Sequence, residues 1–138
     1  MPARPLYYSL IENVRGDNIV SIGRQMRRDL DALAERILAE RPELVVGLGR
    51  SNASRYEQAT QNLFHGREII KGAPIEYPLY IPDADWPTNN GLTSSFCNWS
   101  AYRLAHFIAT NDLPTKLAFL HLTTTEAASF GFFGSPKG

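Results

Sequence analysis

An amphipathic stretch, a proline and an unbroken apolar run follow one another between residues 22 and 49, and this succession limits the folds open to the chain. Ile22, Met26, Leu30, Leu33, Ile37 and Leu38 recur at steps of three and four. That spacing aligns them on one face of a helix ending near Glu40. Asp17 to Ser21 offers capping residues for its start, and Pro42 stops it. Glu43-Leu44-Val45-Val46-Gly47-Leu48-Gly49 comes directly after. A β-branched apolar run without polar alternation must be covered on both sides, so it reads as a buried strand of a parallel sheet. Gly47-Leu48-Gly49 lacks the third glycine and the immediate helix of a dinucleotide fingerprint. It reads instead as a strand-to-loop turn with close backbone packing.

The alternation of helix and strand continues along the chain. Residues 6–12 are apolar and aromatic and read as a short edge strand, residues 50–56 as a polar loop, and Gln58 to Phe64 as a further strand before a turn at His65-Gly66-Arg67. Prolines at 74, 78, 82 and 87 make the next stretch extended and irregular. A stretch of that kind points to a functional or partner-facing loop. Thr93, Ser94 or Ser95 is placed to cap a helix starting near Cys97, Pro114 marks its end, and Lys116 to Thr123 reads as the last strand. The tail 124–138 shows no useful period. No repeat and no boundary divides the 138 residues, so one domain is expected.

Composition narrows the function classes. Hydrophobic residues make up 43% and charged residues 20%, with a formal net charge of zero, as in an ordinary globular protein. No basic run points to nucleic acid, and no apolar run is long enough to span a bilayer. Arg24, Arg27, Arg28 and Arg36 read as the wet face of one helix. A single cysteine forms no internal disulfide, and no signal peptide is evident, so the cytoplasm is the expected compartment. Asn98-Trp99-Ser100 matches a glycosylation acceptor, which carries no meaning on a cytoplasmic helix. Three scattered histidines and one cysteine show no metal-ligand spacing, and no cofactor is expected.

The chemistry-bearing residues are Cys97, His121 and Glu57. A thiol at a helix N-terminus ionises more easily, because the helix dipole favours the anion. At about 100° per residue, Ala101, Leu104, Ala105 and Ile108 share the side of Cys97, so that side packs on the sheet and leaves the sulfur at the sheet edge. Unpaired backbone N–H groups of the first turn lie there as well. His121 follows 24 positions after Cys97, near the end of the next strand. Alone, each has a plain structural reading, the cysteine as a small buried hydrophobe and the histidine as a packed side chain. Their joint placement at a helix start and a strand end is what favours chemistry. Cys97 would attack an amide carbonyl, His121 would move the proton, and Glu57 would orient the imidazole. His106 lies roughly half a turn out of phase, and His65, the rival base, sits in an exposed turn.

These residues also carry a resemblance. Gly91-Leu92-Thr93-Ser94-Ser95-Phe96-Cys97-Asn98-Trp99-Ser100-Ala101-Tyr102 resembles the nucleophile motif of the pyroglutamyl peptidase I (pyrrolidone-carboxylate peptidase) family. Phe119-Leu120-His121-Leu122 is similar to the family's Phe-Ile-His-Val strand, Arg41 to Gly49 to its Pro-Asp-Leu-Val-Leu-Gly-Leu-Gly strand, and Tyr56 to Asn62 to its Val-Glu-Arg-Val-Ala-Ile-Asn segment. The resemblance covers roughly residues 20–123. It implies a three-layer α/β/α sandwich with a mainly parallel sheet. It implies a cysteine peptidase that removes N-terminal pyroglutamate from peptides, or cleaves a related small amide, without a cofactor and as a homo-oligomer. In that reading Cys97, His121 and Glu57 are catalytic, and Phe96 and Phe64 are candidates for the substrate pocket, each equally at home in a core. The family's first strand with its Gly-Phe-rich loop has no counterpart in residues 1–19, and its closing helix none in 127–138. A relative that keeps the motifs but serves in binding or assembly is the alternative.

Overall fold

The computed structural model describes residues 4–93 and 95–129. In chain order its elements are β1 (Leu6–Ser9), β2 (Ile19–Ser21), α1 (Met26–Glu40), β3 (Leu44–Arg50), β4 (Arg55–Glu57), β5 (Ala59–Gln61), β6 (Glu76–Pro78), β7 (Thr88–Asn89), α2 (Phe96–Thr110), β8 (Lys116–Leu122) and α3 (Thr124–Ser129). Six strands form one sheet in the order β2-β1-β3-β8-β4-β7, and β5 and β6 form a separate antiparallel pair. All pairs in the large sheet are parallel except β4 with β8. This is an α/β fold with a mostly parallel sheet flanked by helices.

The apolar run after Pro42 becomes β3, between β1 and β8. Val45 and Leu48 have no exposed surface, as burial on both sides requires. One face of the sheet, with Tyr8, Val45, Leu117 and Phe119, packs against Leu30, Leu33 and Ile37 of α1 and Ala101, Leu104 and Ala105 of α2. The other face, with Val46, Leu48, Ala118 and Leu120, meets Ile11, Val14 and Ala127 of α3. At roughly 25 cal/mol per Å² of apolar area, these two clusters supply most of the drive to fold.

Several expectations from the sequence change in detail. The 6–12 strand shortens to β1 and is not an edge, because β2 pairs outside it and β3 inside it. Ile19 and Val20 enter β2, so α1 begins at Met26 and not near Ile22. Its N-cap is Gln25, which makes no side-chain capping bond, so the capping role expected of Asp17 to Ser21 is not filled. Arg41 closes α1 in the left-handed region (φ 48°), with its N–H on the Ile37 carbonyl. The 50–56 loop already contains the start of β4 at Arg55, and the 58–64 strand reduces to β5 before a bend at Asn62. Residues 124–129, read as irregular, form α3; Thr123 accepts the Glu126 N–H at its start. The rest of the tail, 130–138, lies outside the described residues.

Gly47 and Gly49 are not a turn. Both lie inside β3, on the face beneath α2. A Cβ on Gly47 would stand 2.6 Å from the Phe119 and Tyr8 rings. Neither ring has free volume to retreat into, since both are fully buried. Gly47→Val is therefore expected to lower stability by about 3 kcal/mol through overpacking, read as a fall in the urea midpoint. An unchanged midpoint would show that the aromatic layer has slack.

Candidate active site

Three elements bring the sequence-predicted residues to the carboxyl end of the two central strands. Open α/β sheets bind ligands in that region. β8 carries His121 and β3 carries Gly49 as its register partner. β4 carries Glu57, and α2 carries Cys97 in its first turn. Cys97 thus stands over the end of a central strand and not at a lateral edge of the sheet.

His121 Nδ1 lies 2.6 Å from Glu57 Oε2, and both side chains are buried, at 8% and 1% exposure. The contact fixes the ring and leaves Nε2 as the free nitrogen. Glu57 is held from two further sides. Asn89 Nδ2 donates to its Oε1 at 2.9 Å, and Arg55 Nε donates to Oε2 at 3.2 Å. Burial alone would raise the Glu57 pKa, but hydrogen bonds from His121 and Asn89, with help from Arg55, outweigh it and hold the carboxyl below its ordinary value. Arg55 and Asn89 were not found from the sequence. A signal existed for Arg55, which lies two residues before Glu57 and so on the same face of a strand. None existed for Asn89, which reaches Glu57 only because β7 pairs with β4.

The sulfur of Cys97 sits directly on Gly49. A Cβ at Gly49 would lie 2.7 Å from Cys97 Sγ and 3.0 Å from the edge of the Phe119 ring. The glycine therefore opens the space that the thiol occupies, one strand over from His121. Cys97 and His121 thus stand over adjacent strands, which lie about 4.8 Å apart, and no hydrogen bond joins thiol to imidazole. Phe119 stacks edge-on against His121, with ring centroids 5.2 Å apart, and forms the floor between them.

The start of α2 is pinned by its own residues. Ser95 is the N-cap and accepts the Asn98 N–H at 3.1 Å. Asn98 is fully buried, and every polar position of its amide is used. Oδ1 accepts from Thr60 Oγ1 (2.7 Å) and the Gln61 N–H (2.8 Å), and Nδ2 donates to the carbonyls of Gln61 (2.9 Å) and Leu63 (2.8 Å). Ser100 donates to the Cys97 carbonyl at 2.9 Å and bonds the buried Tyr8 hydroxyl at 3.1 Å. The backbone around Cys97 is thereby tied both to β5 and to β1.

The charge state of the thiol corrects the expectation from helix position. Burial, and then the negative charge of Glu57, push the Cys97 pKa up to about 11; its own backbone N–H acts the other way and is outweighed. A helix start does not lower the pKa when the sulfur is removed from water and faces a carboxylate.

The remaining candidates separate. His106 bonds the Tyr77 hydroxyl at 2.8 Å, and His65 is exposed in a left-handed turn (φ 51°), so neither joins the cluster. Phe96 is 54% exposed and Phe64 partly buried, with ring centroids 5.2 Å apart. Phe96 lines the cleft of about 660 Å³ that contains Cys97; Phe64 lines the adjoining one. Among the described residues no three His, Cys, Asp or Glu side chains gather as a metal-binding set, and no helix is long and apolar enough to cross a membrane.

No family model matches the sequence, and no curated protein matches it. Solved structures do. Pyroglutamyl peptidase I from Bacillus amyloliquefaciens superposes with a TM-score of 0.67 at 17% identity, over 99% of this chain and 88% of that one. Pyrrolidone carboxyl peptidase from Thermococcus litoralis gives 0.64 at 15% identity, over 88% of this chain and 77% of that one. A mutant pyrrolidone carboxyl peptidase from the hyperthermophile Pyrococcus furiosus gives 0.63 at 13%, over 98% and 90%. Identities this low establish a shared fold.

Two measurements check the site. Asn98→Ala leaves several buried backbone groups unpaired and is expected to cost about 3 kcal/mol in urea unfolding; a loss near zero would mean water replaces the amide. For Cys97, a folded thiol near 11 holds its proton where an unfolded one, at about 8.5, has lost it. The stability it contributes is complete below the unfolded value and disappears as pH rises through about 11. Alkylation by iodoacetamide at pH 7 should be about a hundredfold slower than for a free cysteine and rise about tenfold per pH unit to pH 10. A rate that stays flat from pH 6 to pH 9 would contradict the raised value.

Proposed function

We propose that this chain is a cysteine-type amide hydrolase acting on an N-terminal pyroglutamyl peptide or a related small amide. One observation carries the reading: a buried carboxylate–imidazole pair, 2.6 Å apart, lies one strand from a glycine on which a helix-start thiol rests. The shared fold with pyrrolidone carboxyl peptidases supports it.

In this mechanism Cys97 Sγ attacks the scissile carbonyl carbon while its proton passes to His121 Nε2. The thiol is protonated at rest, so His121 acts as a general base during the attack and not as one half of a preformed ion pair. Glu57 supports the imidazolium that forms, and Asn89 and Arg55 keep its carboxylate in place. In the first turn of α2 the Asn98 N–H is taken by Ser95, and the N–H groups of Phe96 and Cys97 are left for the developing oxyanion. Collapse of the tetrahedral adduct breaks the C–N bond, and His121 returns the proton to the leaving amine. Water then cleaves the thioester and restores the thiol.

The raised thiol pKa favours a second reading, a relative that binds or assembles without turnover. Release of a fluorophore from an L-pyroglutamyl amide separates the two. Under the hydrolase reading Cys97→Ala and His121→Ala lose at least about 10³-fold in kcat/KM, and Glu57→Gln about 10²-fold. Equal background rates in wild type and Cys97→Ala, with folded protein, would leave the binding reading.

A further inference from the structure

The cleft that contains Cys97 adjoins a second of about 770 Å³, and Arg24, Met26 and Phe96 line both. Together they make one groove, running from the thiol across Phe96 to Phe64 and Trp99. Its charge is one-sided. Arg24, Arg27, Arg28 and Arg50 line it against Glu12 and Asp31, a surplus of two positive charges (four minus two) on a chain of formal net charge zero. Asp31 is engaged by Arg27 at 3.6 Å, and Arg28 lies 4.0 Å from Asp29 outside the groove lining. Among the described residues Arg24 and Arg50 have no ion pair. Arg36, by contrast, bonds Glu40 at 2.8 Å and lies outside the groove. The reading of these arginines as one wet helix face therefore holds for Arg27, Arg28 and Arg36, which lie on α1, and not for Arg24, which precedes α1 and stands at the junction of the two clefts.

The apolar component is equally localised. Phe96 is largely exposed and leans on Phe64, and Met26 is partly buried beside them. Bare aromatic surface beside the two unpaired guanidiniums of Arg24 and Arg50 suits a chain that presents a carboxylate next to an apolar side chain. Arg24 and Arg50, both exposed, add their attraction for an anion, and salt weakens it.

We propose that this groove receives the part of the substrate beyond the scissile amide and selects an acidic peptide, with Arg24 receiving a carboxylate. The direction rests on the reading of Cys97 as nucleophile. An N-terminal pyroglutamyl group puts only one ring on the acyl side of the bond, and the long groove leading away from the thiol is assigned to the leaving chain. Arg24 is then a specificity residue, and Phe96 and Phe64 contact the leaving chain and not the ring.

The test is calorimetric binding to Cys97→Ala at low ionic strength, which does not depend on turnover. The probes are two peptides, pyroglutamyl-Ala-Asp-Phe amide and pyroglutamyl-Ala-Lys-Phe amide. The aspartyl peptide should bind about tenfold more tightly, with the gap narrowing as salt is added. Adding Arg24→Glu should abolish or invert the preference; Arg24 is exposed, so the fold is expected to survive. Equal affinities, a preference untouched by Arg24→Glu, or no binding of either peptide would each overturn the proposal. Wild-type turnover of the pyroglutamyl amide is scored separately, so a preference without turnover points to failure of the catalytic reading alone.

Discussion

The groups packed over β3 approach it so closely that two of its positions carry no side chain. Gly47 leaves room for the rings of Tyr8 and Phe119, and Gly49 leaves room for the sulfur of Cys97. Everything above these positions depends on that approach. It determines how deeply the thiol is buried, how near it comes to β8, and which aromatic edge forms the floor. Asn98 and Ser100 hold the helix at this height, one through β5 and the other through β1. A buried amide with all its positions filled works as a positional lock, because any shift of the helix would strand several polar groups at once.

The same closeness governs the electrostatics. Removing Cys97 from water raises its pKa, and the carboxylate bonded to His121 raises it further. Glu57 escapes the corresponding penalty only because Asn89 and Arg55 join His121 around it. The site is thus asymmetric, with one acid held charged and the other held neutral. In the hydrolase proposed above, this arrangement would couple proton transfer to attack, in contrast to a thiolate kept ready in advance.

Legibility from the sequence differed by element for physical reasons. The α1–β3 unit was readable because its apolar spacing spans many residues and Pro42 separates the two parts. The α2–β8 unit was readable for the same reason, with Pro114 as the divider. Short elements escaped. β2 and β4 have three residues each and β7 two, so they exist only because a neighbouring strand accepts their hydrogen bonds. α3 is a single capped segment whose one buried residue is Ala127. Glycine pairs usually mark a turn, but Gly47 and Gly49 mark close approach within a strand.

The sequence by itself determined the alternation of helix and strand, the two faces of α1 and α2, and the identity of Cys97, His121 and Glu57 as the residues worth watching. These are properties of spacing and residue type, which act over a few turns of chain. Only the tertiary structure decided that Asn89 reaches Glu57, that Asn98 pins the helix, and that the thiol is held neutral. Those outcomes depend on strand order, register and depth of burial. They are set by contacts between segments that lie 30 or more positions apart, which no local pattern encodes.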